Sequence, residues 1–197
     1  MDTRQKMLDA ALKLFAERGF YGASMDQIAR EVGLTKQALI HHFGTKEKLY
    51  SAVLEAISER LMNDAIQPSA QKSPSGFADA ISRIYLRTRE HREDTLLLMR
   101  ELLDNRRRAA QAGTWHLKPF MDGLAELLRC DPFWQEAEEP AVITHIYQVL
   151  GAINYFAVSS VTLENMYSAE HVEGMRKCFP DQLRSLAMSG RSIAGSD

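Results

Sequence analysis

Between Ser24 and Phe43 two short helical patterns lie three residues apart, joined by Gly33-Leu34-Thr35, and that spacing leaves the chain few ways to fold. Helices joined by so short a turn must cross tightly, so their contact needs small side chains and the turn needs a backbone that takes positive φ. Ala29 is small where the helices would touch, and Gly33 supplies the turn. Ile28, Ala29 and Val32 form one apolar face, Leu39 and Phe43 form the facing one, and Leu34 with Leu39 plugs the corner. Ser24-Met25-Asp26-Gln27 reads as a capping box, in which Ser24 and Gln27 satisfy each other's amides at the helix start. The pattern fits a helix-turn-helix, and taken alone it fits an ordinary helix-loop-helix equally well.

The second helix of this pair turns Lys36, Gln37, Ile40 and His41 outward, at offsets i, i+1, i+4 and i+5. Such a cluster suits a major groove, which the second helix of these motifs reads. Gln37 matches an adenine edge or a phosphate, Lys36 a guanine edge or the backbone, and Ile40 a thymine methyl. Thr35, Ser24, His42 and Lys46 stand at helix ends, where phosphate contacts are common. His41 and His42 are adjacent on a helix and point in different directions, so no metal site is expected.

Helix periodicity continues almost everywhere else and strand signals are nearly absent, so the fold class expected is all-α. The first helix is predicted after an N-cap at Thr3 and ends at Gly19; the next ends at Gly33, a third covers 36–43, and a fourth runs from Thr45 to about Ile66. Gln67 to Gly76 reads as a loop, followed by helices near 76–91, 93–111, 114–130, 140–164 and 168–188. The segment from Asp131 to Pro140 reads as an acidic loop. The division expected is a small helical headpiece over 1–50, a larger helical bundle over 51–190, and a disordered tail over 191–197.

Charge permits nucleic-acid binding without predicting it. The chain has a formal net charge of −2, but residues 1–50 hold eight basic and six acidic groups, leaving sixteen and twenty for the rest. Cys130 and Cys178 form no CxxC pair and read as buried free thiols of a reducing cytoplasm. Met1-Asp2-Thr3-Arg4-Gln5-Lys6 does not read as a signal peptide, and no run approaches the eighteen or so uninterrupted apolar residues of a membrane span. GxGxxG, Walker, HExxH and GxSxG motifs are all missing, which weighs against an enzyme. No cofactor is expected. A helical enzyme without motifs, or a protein–protein adaptor, remains as an alternative.

Several clusters then agree in order and spacing with one family. Thr3-Arg4, Met7-Leu8-Asp9-Ala10-Ala11, Leu14-Phe15-Ala16-Glu17-Arg18-Gly19-Phe20, Asp26-Gln27-Ile28-Ala29, Val32-Gly33-Leu34-Thr35-Lys36 and His42-Phe43-x-x-Lys46-Glu47-x-Leu49 closely resemble the N-terminal region of TetR-family regulators. The resemblance covers about the first fifty residues. It implies a three-helix DNA-binding headpiece on a helical body that binds a ligand and dimerises through its last two helices. It also implies backbone-phosphate contacts for Lys46, Ser24 and His42, with Lys36, Gln37 and His41 reading bases or neutralising backbone. One departure is Ile40, which stands where the family usually places a tyrosine.

The body adds a second signal. Ala141 to Val158 is apolar on nearly every side, and a helix of that kind must be buried on two or more faces. A second copy of the chain is the natural cover, with Gly151 and Ala152 permitting close approach; a purely internal core helix is the plainer alternative. Tyr85, Met99, Leu103, Trp115, Phe120, Met121, Tyr147 and Phe156 are candidates for an apolar cavity, with Asn154 or His145 as polar anchors, although such positions also suit plain core. Arg106-Arg107-Arg108 reads as a basic helix end complementing the macrodipole. The partners expected are double-stranded operator DNA, an unidentified small-molecule effector and a second copy, with no membrane.

Overall fold

A computed structural model describes residues 2–69, 73–104 and 116–189, and these hold helices and no strand. In chain order they are α1 (Thr3–Gly22), α2 (Met25–Glu31), α3 (Lys36–Phe43), α4 (Lys46–Leu61), α5 (Gly76–Glu90), α6 (Arg92–Asp104), α7 (Lys118–Leu128), α8 (Glu139–Met166) and α9 (Ala169–Ser189). The all-α expectation holds. The expected run of 105–111, the Arg106–Arg108 cluster and the tail 191–197 lie outside the described residues.

Differences at the ends have local causes. Asp2, not Thr3, occupies the N-cap of α1, and Gly19 (φ 71°) kinks that helix instead of ending it. The chain does not leave its helix at Ile66: α4 continues as a π turn over Met62–Ile66 and a further helical turn at Gln67–Ser69, so the first residues of the expected loop are helical. The widening has a packing partner. A Cβ built on Gly123 of α7 would lie 2.9 Å from Cγ2 of Ile66, so only glycine lets α7 approach the π turn this closely.

The chain divides into two compact units, one of residues 1–59 with 93–117 and one of 60–92 with 118–197. Around Phe15 in the first unit cluster Phe20 and Tyr50, with ring centroids 4.9–6.2 Å apart, and Met7, Ile28, Leu39 and Leu49 are fully buried beside them. In the second unit α5, α8 and α9 pack together over Ile81, Ile146, Ile153 and Val172, with α7 against α5 and α8 through Leu124 and Leu128. Arg87, buried on α5, pairs with Asp64 of the π turn. The acidic loop after α7 is anchored rather than free: Trp134 is buried and stacks on His145 at 4.8 Å, and Arg129 Nη1 donates to the Ala137 carbonyl at 2.8 Å.

One expectation about apolar character needs correction. Cys178 is exposed and Cys130 half-buried, so neither is a core thiol; both are free. Helix α8, 28 residues long, has an 18-residue window of mean hydropathy 1.3, enough by length and composition to cross a membrane. Val142, His145, Ile146, Val149, Ile153 and Phe156 nevertheless form a buried face against the bundle, while Tyr147 and Tyr155 of the same helix are exposed.

Candidate nucleic-acid interface

The corner between α2 and α3 is built from backbone rules that the sequence announces. The Ser24 N–H donates to Gln27 Oε1 at 3.0 Å and the Gln27 N–H donates to Ser24 Oγ at 3.2 Å, closing the capping box. Gly33 takes φ +68°, which lets the Leu34 N–H turn back to the Ala29 carbonyl at 2.9 Å. Thr35 Oγ1 then accepts from the Ala38 N–H at 3.2 Å and starts α3. Thr45 Oγ1 caps α4 by accepting from the Lys48 N–H at 3.3 Å. Each of these hydroxyls accepts its capping bond and keeps its own O–H to donate outward.

Burial of Ile28, Ala29, Leu39 and Phe43 sets the rotation of α3. The opposite side presents Thr35, Lys36, Gln37, His41 and His42 as exposed residues, with Ile40 43% exposed among them. Ser24 and Lys46 are half-buried at the edges. All eight candidates lie on the headpiece, six of them exposed and two half-buried. The adjacent imidazoles do not diverge as expected: the His41 and His42 rings meet edge-on with centroids 5.8 Å apart. Among the described residues no group of His, Cys, Asp or Glu is placed to hold a metal ion.

The cations of this surface are tethered. Lys36 Nζ lies 3.0 Å from Asp26 Oδ2, an exposed pair worth at most about 1 kcal/mol and easily exchanged for another anion. Lys13 pairs with Glu31 at 2.9 Å, and its hydrogen bond holds the Glu31 carboxyl below the usual carboxylate range. Lys46 Nζ sits 4.6 Å from the Phe20 ring centroid. Burial there lowers the Lys46 pKa, and Glu47 opposes the shift. Arg4, to which the sequence reading gave no role, lies 5.4 Å from the Phe43 ring centroid at the end of α3. Nothing local joins positions 4 and 43, so only folding could reveal it.

A second set of contacts supports the headpiece from α6 and was also missed. Arg100 Nε donates to the Ala16 carbonyl at 2.8 Å and Nη2 to the Glu17 carbonyl at 3.0 Å, capping α1 just before its kink. The Tyr50 hydroxyl donates to Glu101 Oε2 at 2.6 Å in a buried setting.

Residues 7–53 match the family model described as "Bacterial regulatory proteins, tetR family". The chain carries a TetR-family helix-turn-helix domain. Among relatives of this TetR-family domain, the transcriptional regulator BetI of Rhizobium meliloti is 29% identical over 94 residues, 47% of this chain and 46% of that protein. The transcriptional repressor AcnR of Corynebacterium efficiens is 36% identical over 61 residues, covering 31% and 32%. The transcriptional activator FasR of Mycolicibacterium smegmatis is 38% identical over 66 residues, covering 34% and 30%. The chain thus matches less than half the length of each of these relatives. The crystal structure of the fatty acid degradation regulator FadR from Bacillus halodurans aligns over 98% of both chains with a TM-score of 0.73 at 14% identity, a likeness of fold.

In the second unit the ligand candidates do not gather as one lining. Tyr85 and Phe156 come together, their ring centroids 6.5 Å apart, beside a cavity of about 300 Å³. Phe120 is buried core, and Met121 and Asn154 are half-buried away from that lining. Tyr147 is exposed. Met99 and Leu103 belong to the first unit, where Leu103 is 76% exposed. Trp115 lies outside the described residues. His145 is committed elsewhere, its Nε2 at 3.1 Å from the Ala187 carbonyl.

Proposed function

We propose that this protein is a DNA-binding transcriptional regulator, a repressor that holds a palindromic operator as a homodimer and is released by a small molecule. The observation that carries the reading is the face of α3, where Lys36, Gln37, Ile40, His41 and His42 are exposed behind a buried Leu39–Phe43 seam in a TetR-family domain. In this reading α3 enters the major groove. Lys36, Gln37 and His41 read bases or neutralise backbone, and Ile40 packs on sugar or a thymine methyl. Ser24, Thr35, His42 and Lys46 hold phosphates. Arg4 joins them.

Residues 1–50 serve DNA, and 51–190 serve ligand and dimer. A dimer would present two copies of α3 to half-sites about 34–36 Å apart. Ligand entering the larger part shifts its helices and, through the continuous run from Lys46 to Ser69, changes how the two headpieces are held. A coupling of about 1–3 kcal/mol, or roughly 5–150-fold in affinity, is enough to derepress a promoter. The place of action is the cytoplasm, where the chromosome of a bacterium lies. Relatives are named both as repressors and as activators, so activation from the same fold is the second reading.

Selection from randomised duplex DNA with the full chain tests the proposal. Recovery of a palindrome is the expected result, with affinity falling steeply as salt rises, since phosphate contacts release counterions. No enrichment at low salt overturns the reading. Binding of a protein partner with little salt dependence would favour the adaptor instead.

A further inference from the structure

The cavity beside Tyr85 has a chemistry that the reading of an apolar effector pocket did not anticipate. Its lining mixes one aromatic floor with an excess of positive charge. Phe156 provides the floor, backed by Phe179 in a stacked pair with centroids 4.2 Å apart and planes 11° from parallel. Arg89, Arg92 and Arg176 line it against a single carboxylate, Glu173. That carboxylate is already engaged, since Arg176 donates to Glu173 at 3.5 Å and to Glu164 at 2.9 Å. Arg176 is thereby neutralised and held in place. Arg89 and Arg92, both exposed, bring the remaining charge.

A second observation lies beside the same space. Tyr85 is 3% exposed and its hydroxyl has no hydrogen-bond partner, although buried hydroxyls are otherwise nearly always paired. Burial raises the Tyr85 pKa, so the group stays an O–H donor at neutral pH. A donor without an acceptor, beside two guanidiniums without lining carboxylates of their own, calls for an acceptor carrying negative charge.

We propose that this cavity binds a small amphipathic organic anion, with its carboxylate or phosphate head on Tyr85, Arg89 and Arg92 and its apolar body against Phe156. The inference rests on the reading of the larger unit as effector-binding and names the chemical class of that effector. A volume of about 300 Å³ limits the buried part to a small molecule.

Isothermal titration calorimetry on the full chain tests this with 2-naphthoate, 1-naphthyl phosphate and the neutral 2-naphthalenemethanol. At least one anion is expected to bind ten-fold or more tightly than the alcohol, and the better of the two identifies the head group. Arg89→Gln, at an exposed position that leaves the core intact, is expected to weaken anion binding about ten-fold and to leave the alcohol unchanged. Tyr85→Phe is expected to do the same, with circular dichroism checking its fold. Equal affinity for anion and alcohol overturns the proposal, as does failure of both anions to bind at millimolar concentration, or anion binding undiminished by Arg89→Gln. Operator binding is measured on the same samples without naphthyl compounds. Its failure would count against the regulator reading alone.

Discussion

Lys46 carries two environments at once. Its ammonium rests over the Phe20 ring, where burial lowers its pKa, and the residue starts α4 at the edge of the proposed DNA surface. Exchange of a ring face for a phosphate costs little, because the cation–π contact is worth only about 0.5–1 kcal/mol at a partly exposed site. Lys46→Ala should therefore weaken operator binding about equally for all sequences and reduce the slope of log K against log salt by about 1, measured by filter binding at several salt concentrations. A slope unchanged by the substitution would remove Lys46 from the phosphate contacts. His145 shows the opposite relation between burial and function. Burial lowers its imidazole pKa, against the hydrogen bond to the Ala187 carbonyl, and Trp134 and Phe77 cover the ring. The unfolded chain then binds the proton more readily than the folded one. The stability contributed by neutral His145 is full above about pH 6.5 and is lost as pH falls below it. Denaturant midpoints should hold steady from about pH 8 to 7 and drop by about pH 5.5, less so in His145→Gln once each variant is referred to its own neutral-pH value. Equal acid sensitivity in both would assign the loss to other groups.

Helix starts and helix contacts fail in different ways. Ser24 holds α2 by a cap whose two bonds span three residues, so Ser24→Ala should cost about 1 kcal/mol in urea denaturation and nothing in helix count. Gly123→Ala acts through space. Its new Cβ would meet Ile66 Cγ2 at 2.9 Å, and Ile66 is a buried branched residue with little room to move. Overpacking of this kind costs about 1–3 kcal/mol. The same measurement should therefore rank Gly123→Ala at or below Ser24→Ala in stability, even though alanine is the better helix former. A more stable Gly123→Ala would mean that the π turn relaxes freely. Residues Ser24, Gly33 and Thr35 were legible in the sequence because caps and turns are satisfied within a few positions. The π turn was not, and the glycine it packs against lies more than fifty residues away.

At the scale of the molecule, α8 leaves several large apolar side chains exposed among the described residues, and α9 leaves two. Tyr155 is 72% exposed, and Tyr147, Val161 and Met166 on α8, with Met175 and Met188 on α9, are exposed as well. Exposed apolar side chains such as these are what two-fold pairing would bury. Tyr155→Asp should shift the protein toward monomer in light scattering and, because one headpiece alone makes half the contacts, weaken operator binding sharply. Binding that survives in a proven monomer would separate operator recognition from dimerisation.

Periodicity by itself determined the all-α class, the order of the helices and most of their ends, since each rests on contacts three or four residues apart. The same locality made the α2–α3 corner and its outward face readable, from Ala29 and Gly33 to Lys36 and Gln37. Family resemblance over the first fifty residues then turned an ambiguous helix pair into a DNA-binding expectation. The rest depended on residues that meet only after folding. Arg100 reaches the carbonyls of Ala16 and Glu17, Arg4 reaches the Phe43 ring, and Tyr85 is brought to Arg176 across ninety residues. An apolar or aromatic residue at helical spacing announces that it will be buried. Whether it faces core or cavity depends on how helices distant in the chain cross, and helical periodicity is silent on that.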